Sequence, residues 1–103
     1  MSDLVFYEST QNTQISNQKK NVKLSGTFNF KLPANKSGKL NIVFNQVFNE
    51  IPHASLCVSV NNGDCFDVKS GISKLTKESM EVHLCNVDVI NEVSGMALWN
   101  VSN

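Results

Sequence analysis

Two apolar strands joined by a short aromatic link, in residues 40–60 (LNIVFNQVFNEIPHASLCVSV), constrain the fold of this chain more than any other feature. Within the link, Phe48 follows Phe44 by four residues, and Pro52 lies just before the second strand. Because successive side chains of a strand point to opposite faces, alternating apolar residues predict half-buried strands. The inward sets are Leu40, Ile42 and Phe44, then Leu56, Val58 and Val60. We expect the link to set the crossing of the two strands.

The same period of two recurs along most of the chain. It predicts strands over residues 22–31, over residues 66–72 more weakly, around Met80, Val82 and Leu84, and in the closing segment that contains Trp99. Turn-forming residues separate them at positions 33–38, 61–64 and 75–79, and residues 87–92 form a mixed apolar and polar loop. No stretch carries a helical stripe. The pattern predicts an all-β fold, a six-stranded antiparallel β-sandwich over residues 21–103.

Residues 1–20 differ from the rest and are predicted to form an N-terminal polar arm. Positions 9–20 (STQNTQISNQKK) have no apolar period and are typical of a loose segment. Residues 4–7 (LVFY) are apolar and aromatic. We expect this short patch to dock on its own domain or on a neighbour.

Composition excludes several classes of function. A chain of 103 residues fits one domain. All nine basic residues are Lys and they balance nine acidic residues, which predicts no nucleic-acid partner because an electrostatic footprint and an Arg for base readout are missing. No apolar run approaches the roughly 20 residues of a membrane helix. The start of the sequence carries no signal-peptide pattern, so we expect cytoplasmic synthesis with an unknown destination.

A catalytic or metal-binding constellation is not evident. The three cysteines, an odd number, indicate free thiols. His83 and Cys85 would share one strand face and could form a pair, although ordinary outward or interface residues are the favoured interpretation. Residues 64–67 lack the ligand spacing of a calcium loop, and zinc, phosphate-loop and nucleophile-elbow motifs are missing. We therefore expect no enzyme, no metal and no cofactor, with Trp99 in the core or an interface rather than on a ligand.

Residues 38–102 resemble the H-type lectin family, the snail agglutinin and discoidin group. The elements that carry the resemblance are a strand ending in Phe44, the aromatic Phe48 four residues later, Pro52 before a V-x-V strand, and a closing strand with Trp99. The C-terminal domains of some phage tail fibres are similar in the same region. The resemblance implies a sandwich that assembles as a homotrimer, with sugar sites between subunits near the loop before the closing strand.

The resemblance also implies where a ligand would bind. The strand position that often carries Arg in the family corresponds to Asp67, and the aromatic residue and His of the loop fall near Val87 and Asp88. Amide and carboxylate side chains of this region can accept hydrogen bonds from vicinal hydroxyls. The predicted ligand-binding residues are Asp67, Asn86, Asp88, Asn91 and Glu92. Half-apolar residues on the opposite strand faces, predicted for a subunit interface, are Val43, Cys57, His83 and Cys85.

Two functions follow as expectations. The first is a non-enzymatic module that binds carbohydrate or another cell-surface ligand, with avidity gained from three sites on one trimer. The second is a structural virion protein, such as a tail-fibre, baseplate or capsid-decoration subunit, that uses the same fold for protein contacts and anchors through residues 1–20.

Overall fold

A computed structural model of the protein describes residues 4–16 and 21–103. The described residues form seven strands and one 3-10 turn. In chain order these are β1 (Val5–Ser16), β2 (Asn21–Leu32), β3 (Ser37–Val43), β4 (His53–Asn62), the 3-10 turn (Cys65–Asp67), β5 (Val68–Leu75), β6 (Ser79–Asn86) and β7 (Val93–Ser102).

The strands form two antiparallel sheets, as expected for an all-β sandwich. The four-stranded sheet has the order β1-β2-β7-β4, and the three-stranded sheet has the order β3-β6-β5. The predicted count of six strands is wrong, because the segment expected to be a loose arm contributes a seventh. The last strand, β7, lies in the interior of its sheet between β2 and β4.

Strand β1 corrects the prediction of a loose arm over Val5–Ser16. Its ladder with β2 is interrupted between Tyr7 and Thr10, where Glu8 takes a positive φ of 54°. Most of its side chains are exposed, which is why no apolar period marks it in the sequence. Residues 1–3 and 17–20 of the predicted arm lie outside the described residues, so the division of the chain into arm and domain stays a prediction.

Side chains fasten β1 to the rest of the molecule. Leu4 and Phe6 pack against the core, and the Phe6 and Phe28 rings meet edge to face with centroids 5.6 Å apart. Gln11 reaches across to the other sheet, where its Nε2 donates to Val43 O at 3.0 Å and its Oε1 accepts from Asn45 N at 2.6 Å. The apolar patch at residues 4–7 thus docks partly on its own domain.

The core lies between the two sheets and follows the predicted alternation. Strand β6 buries every second residue, and β7 buries Ala97, Trp99 and Val101. Trp99 is 1% exposed, so the expectation that it packs in the core is confirmed. Its indole lies over Gly26 on β2, where a Cβ would collide with the ring. The large buried side chains therefore depend on a glycine opposite them.

The link between β3 and β4 carries the chain from one sheet to the other. Phe44 and Phe48 are buried, with ring centroids 5.7 Å apart in an edge-to-face contact, and Pro52 is buried as well. The Phe44 ring also lies 6.3 Å from that of Trp99. Backbone hydrogen bonds from Phe44 N and Phe48 N to the turn at residues 77–78 fix the path of the link. The link is therefore a structural crossing, as the sequence predicts.

The predicted strand over residues 66–72 begins two residues later than expected. Cys65–Asp67 forms a 3-10 turn because Asp64 Oδ1 accepts a hydrogen bond from Phe66 N at 3.0 Å. Strand β5 then runs over Val68–Leu75, with a register irregularity between Ile72 and Lys74. No helix in the described part of the chain is long and apolar enough to cross a membrane.

Candidate functional site: a cleft between two end loops

Two connections meet at one end of the sandwich and enclose a cleft. The connection between β4 and β5 and that between β6 and β7 are tied by a hydrogen bond from Val87 N to Asp67 O, 2.8 Å long. The connection between β2 and β3 joins them, since Asn35 N donates to Asp88 O at 2.8 Å. The cleft has a volume of about 500 Å³. Its lining residues are Asn62, Gly63, Asp64, Asp67, Asp88, Asn91 and Glu92.

Four of the five predicted ligand-binding residues line this cleft, and Asn86 does not. Asn86 is 0% exposed, and its Nδ2 donates to the carbonyl oxygens of Leu32, Pro33 and Asn91 at 3.1, 3.2 and 2.9 Å. Its Oδ1 accepts from Asp88 N at 2.9 Å. Because a buried amide with these partners presents no free group to a ligand, the assignment of Asn86 as a ligand contact is corrected. It holds the loop in shape.

Asp88 organises the loop that forms one wall. Its Oδ1 accepts from Ile90 N at 2.8 Å and from Asn91 N at 2.9 Å, and Asn91 Nδ2 donates to its Oδ2 at 3.3 Å. An aspartate that accepts from backbone groups two and three residues ahead stabilises a tight turn. Asp88 therefore has a structural role in addition to its place in the cleft.

The opposite wall is shaped by a glycine and an aspartate. Gly63 takes a φ of +111°, a conformation that favours glycine because glycine has no Cβ. It directly follows the last residue of β4. Asp64 then closes the 3-10 turn through its side chain and through its carbonyl, which accepts from Asp67 N at 3.0 Å. This turn directs the Asp67 carboxyl toward the Asp88 carboxyl across the cleft.

The cleft is strongly acidic, and the pKa values of its two facing carboxyls, Asp67 and Asp88, are shifted in opposite directions. Partial loss of water raises the pKa of Asp67, and the negative charges of Asp88 and Asp64 and a hydrogen bond with Asp88 raise it further. Backbone hydrogen bonds from Asn91 and Ile90 lower the pKa of Asp88. As the pH falls, Asp67 is therefore expected to take up a proton before Asp88 does.

Glu92 closes the cleft on the side of the four-stranded sheet. Its Oε1 lies 3.7 Å from Lys31 Nζ, an exposed pair of modest strength. Among residues 4–16 and 21–103, no group of three or more His, Cys, Asp or Glu is arranged to hold a metal ion.

Exposed apolar side chains flank the acidic cleft. Phe66 lies between Asp64 and Asp67 in sequence and is 87% exposed. Val89 and Ile90, at the tip of the facing loop, are 72% and 81% exposed. Each wall therefore combines inward acidic or amide groups with an outward apolar side chain, an arrangement that suits an amphipathic ligand.

Sequence reasoning missed part of this lining. Residues 61–64 were recognised only as a turn, although Asn62 and Asp64 belong to the cleft. Phe66 was assigned to a strand, whereas it protrudes from the 3-10 turn. The signal that could have found them is the Asx pattern of Asp64 followed two residues later by an aromatic residue, because it predicts a turn that ejects that side chain.

The residues expected at a subunit interface are divided between two surfaces. Val43, His83 and Cys85 lie on the outer face of the three-stranded sheet, and Cys57 lies on the outer face of the four-stranded sheet. One contact cannot cover both faces. His83 and Cys85 flank a shallow groove of about 330 Å³ with Lys69, Gly71 and Ser73. All three cysteines are free thiols, as predicted.

Comparison with models of known protein families and with curated proteins finds no match for this chain. Its function must therefore be argued from the geometry of its own residues.

Proposed function

We propose that this protein is a non-enzymatic binding module whose end cleft takes a carbohydrate or another cell-surface ligand. The observation that carries the proposal is the cleft itself, in which four carboxylates and two amides converge beside the exposed Phe66 ring. Carboxylate and amide oxygens accept hydrogen bonds from sugar hydroxyls, and an aromatic face covers the apolar side of a sugar ring. This combination is typical of shallow saccharide sites.

The proposal includes assembly as a trimer of H-type lectin character. The buried Phe44, Phe48 and Pro52 crossing and the buried Trp99 support the sandwich part of that resemblance. Three shallow sites on one rigid body gain avidity without new contacts. The outer face of the three-stranded sheet, with Val43, His83 and Cys85, is the surface we assign to the three-fold contact. Light scattering that gives a monomeric mass would remove this part of the proposal.

A glycan array with fluorescently labelled protein tests the cleft. We expect Phe66→Ala and Asp67→Ala to reduce the signal of any bound glycan at least tenfold, because Phe66 is exposed, Asp67 is half-buried in the cleft lining, and neither belongs to the core. Asp88→Ala should abolish it, since that change also loosens the loop. Glu50→Gln, which removes one exposed charge in the link far from the cleft, is the matched control and should bind as wild type. Undiminished binding by both Phe66→Ala and Asp67→Ala would exclude the cleft as the ligand-binding site.

The alternative, a structural virion subunit, draws support from one observation. Val5 and Tyr7 on the edge strand β1 remain 39% and 45% exposed, so they are free to contact another protein. Deletion of residues 1–20 is not a clean test, because it would strip β2 of one of its two partner strands. Val5→Ser combined with Tyr7→Ser preserves the backbone ladder. If that variant fails to assemble into the virion while its glycan binding stays intact, the result would favour the structural function.

A further inference from the structure

The outer face of the four-stranded sheet carries a polar matrix at the end opposite the cleft. Its eight residues form two rows across all four strands, as the strand register shows. Since cross-strand partners point to the same face, each row lies on one surface. The first row is Asn12, Ser25, Asn100 and Ser55, and the second is Gln14, Lys23, Ser102 and His53.

These side chains have no partners within the described part of the chain. None of the eight makes a hydrogen bond or an ion pair through its side chain with another described residue. Some other polar residues of this face do make side-chain contacts, such as Thr10–Thr27 at 2.9 Å and Asn29–Glu8 at 2.8 Å. The matrix is therefore a local concentration of exposed and half-buried donors and acceptors that no other described side chain engages.

A groove runs along the matrix over β1, β2 and β7. It has a volume of about 600 Å³, and its lining contains Asn12, Gln14, Lys23, Ser25 and Asn100. Neighbouring strands are about 4.8 Å apart, and residues two apart on a strand are separated by about 6.7 Å, so the matrix covers a surface of roughly 14 by 7 Å. An oligosaccharide laid across the strands would meet an amide or a hydroxyl at each strand.

The charge of the matrix differs from that of the cleft. Lys23 is its one ammonium, and none of its eight residues is acidic. An ammonium among amides and hydroxyls provides a charge-assisted hydrogen bond to an anionic group. The end cleft, with its four carboxylates, repels such a group.

We propose that the polar matrix is a second, independent binding site for a saccharide that bears a carboxylate. Lys23 pairs with the carboxylate, and the amides of Asn12, Gln14 and Asn100 donate to and accept from the ring hydroxyls. The site differs from the end cleft in position and in ligand charge, so each chain would present two saccharide sites of opposite preference.

Titration of isotope-labelled protein, followed by amide NMR shifts, tests this site. The probes are trigalacturonic acid and sialyllactose, with galactotriose and lactose as their neutral counterparts. We expect the acidic probes to shift resonances of residues 12–14, 23–25, 53–55 and 100–102, and to bind at least fivefold more tightly than the neutral ones. Lys23→Gln should weaken binding of the acidic probes about tenfold. Lys77→Gln, which removes the same charge from the exposed turn between β5 and β6, should bind as wild type.

Three results would overturn the proposal. The first is that neither acidic probe shifts the matrix resonances. The second is equal affinity for acidic and neutral probes. The third is a shift pattern confined to residues 62–67 and 86–92, which would refute the second site and leave the end cleft in force. Conversely, matrix shifts combined with unchanged cleft resonances for every saccharide would support this inference while the proposed function of the cleft failed.

Discussion

Replacement of Asn86 by Ala is expected to destabilise the protein strongly without removing any group from the surface. The side chain is fully buried and provides two N–H donors and one acceptor to the loops on either side. At about 1 kcal/mol for each of these three hydrogen-bonding groups, the loss is about 3 kcal/mol. For a domain of this size, that corresponds to a fall in Tm of about 12–24 °C.

Urea denaturation followed by tryptophan fluorescence measures this loss, because Trp99 is the only tryptophan and is buried. The matched control is Asn41→Ala, an exposed position on β3 that should change the free energy of unfolding by less than about 0.5 kcal/mol. A loss below about 1 kcal/mol for Asn86→Ala, with an unchanged m-value, would refute the structural role of Asn86.

Two further predictions concern a glycine and the carboxyl pair. Gly26→Ala should lower the free energy of unfolding by at least about 2 kcal/mol, because the added Cβ would collide with the Trp99 ring. In the control Gly71→Ala the added Cβ meets nothing within 4 Å, so the free energy of unfolding should not change. Equal urea midpoints for the two variants would contradict this prediction. Asp67→Asn should raise Tm slightly at neutral pH. The folded state raises the pKa of Asp67 above 3.8, so the stability that its proton contributes is complete below pH 3.8 and is lost as the pH rises through the raised value. The Tm gain should therefore vanish below pH 3.8, and a gain that persists there would refute the argument. Asp88 has a lowered pKa, so its contribution is present above pH 3.8 and is lost as the pH falls through that lowered value; calorimetry of Asp88→Asn should show a deficit at neutral pH that closes in acid.

Alternation of apolar residues was sufficient to predict the strands that bury one face. Residues of β2, β3 and β6 alternate cleanly, and each was placed with errors of one to three positions. The crossing at Phe44 and Phe48 was also predicted, since two aromatic residues flanking a link require burial. These strands and the link could be predicted because each is defined by the spacing of apolar residues that are close together in the sequence.

Features that depend on distant partners could not be predicted in the same way. Strand β1 carries polar residues on both faces, and only its ladder with β2 and the Gln11 contacts reveal it as a strand. Asn86 is a polar residue at a strand end, where an exposed position is the ordinary expectation. Its burial follows from carbonyl groups contributed by residues 32 and 33, more than fifty positions away. Asp88, Asn91 and Glu92 were found because they share one loop, and Asp67 was found through the family resemblance.

The position of β7 between β2 and β4 has a consequence for the order of events during synthesis. Until residue 102 has left the ribosome, β2 and β4 are separated by a gap one strand wide, and each exposes a row of unpaired backbone groups. The four-stranded sheet therefore cannot form vectorially and must wait for its last-made strand. A nascent chain stalled before residue 93 would leave the facing edges of β2 and β4 open to pairing with strands of other chains. It should need chaperone protection up to that point.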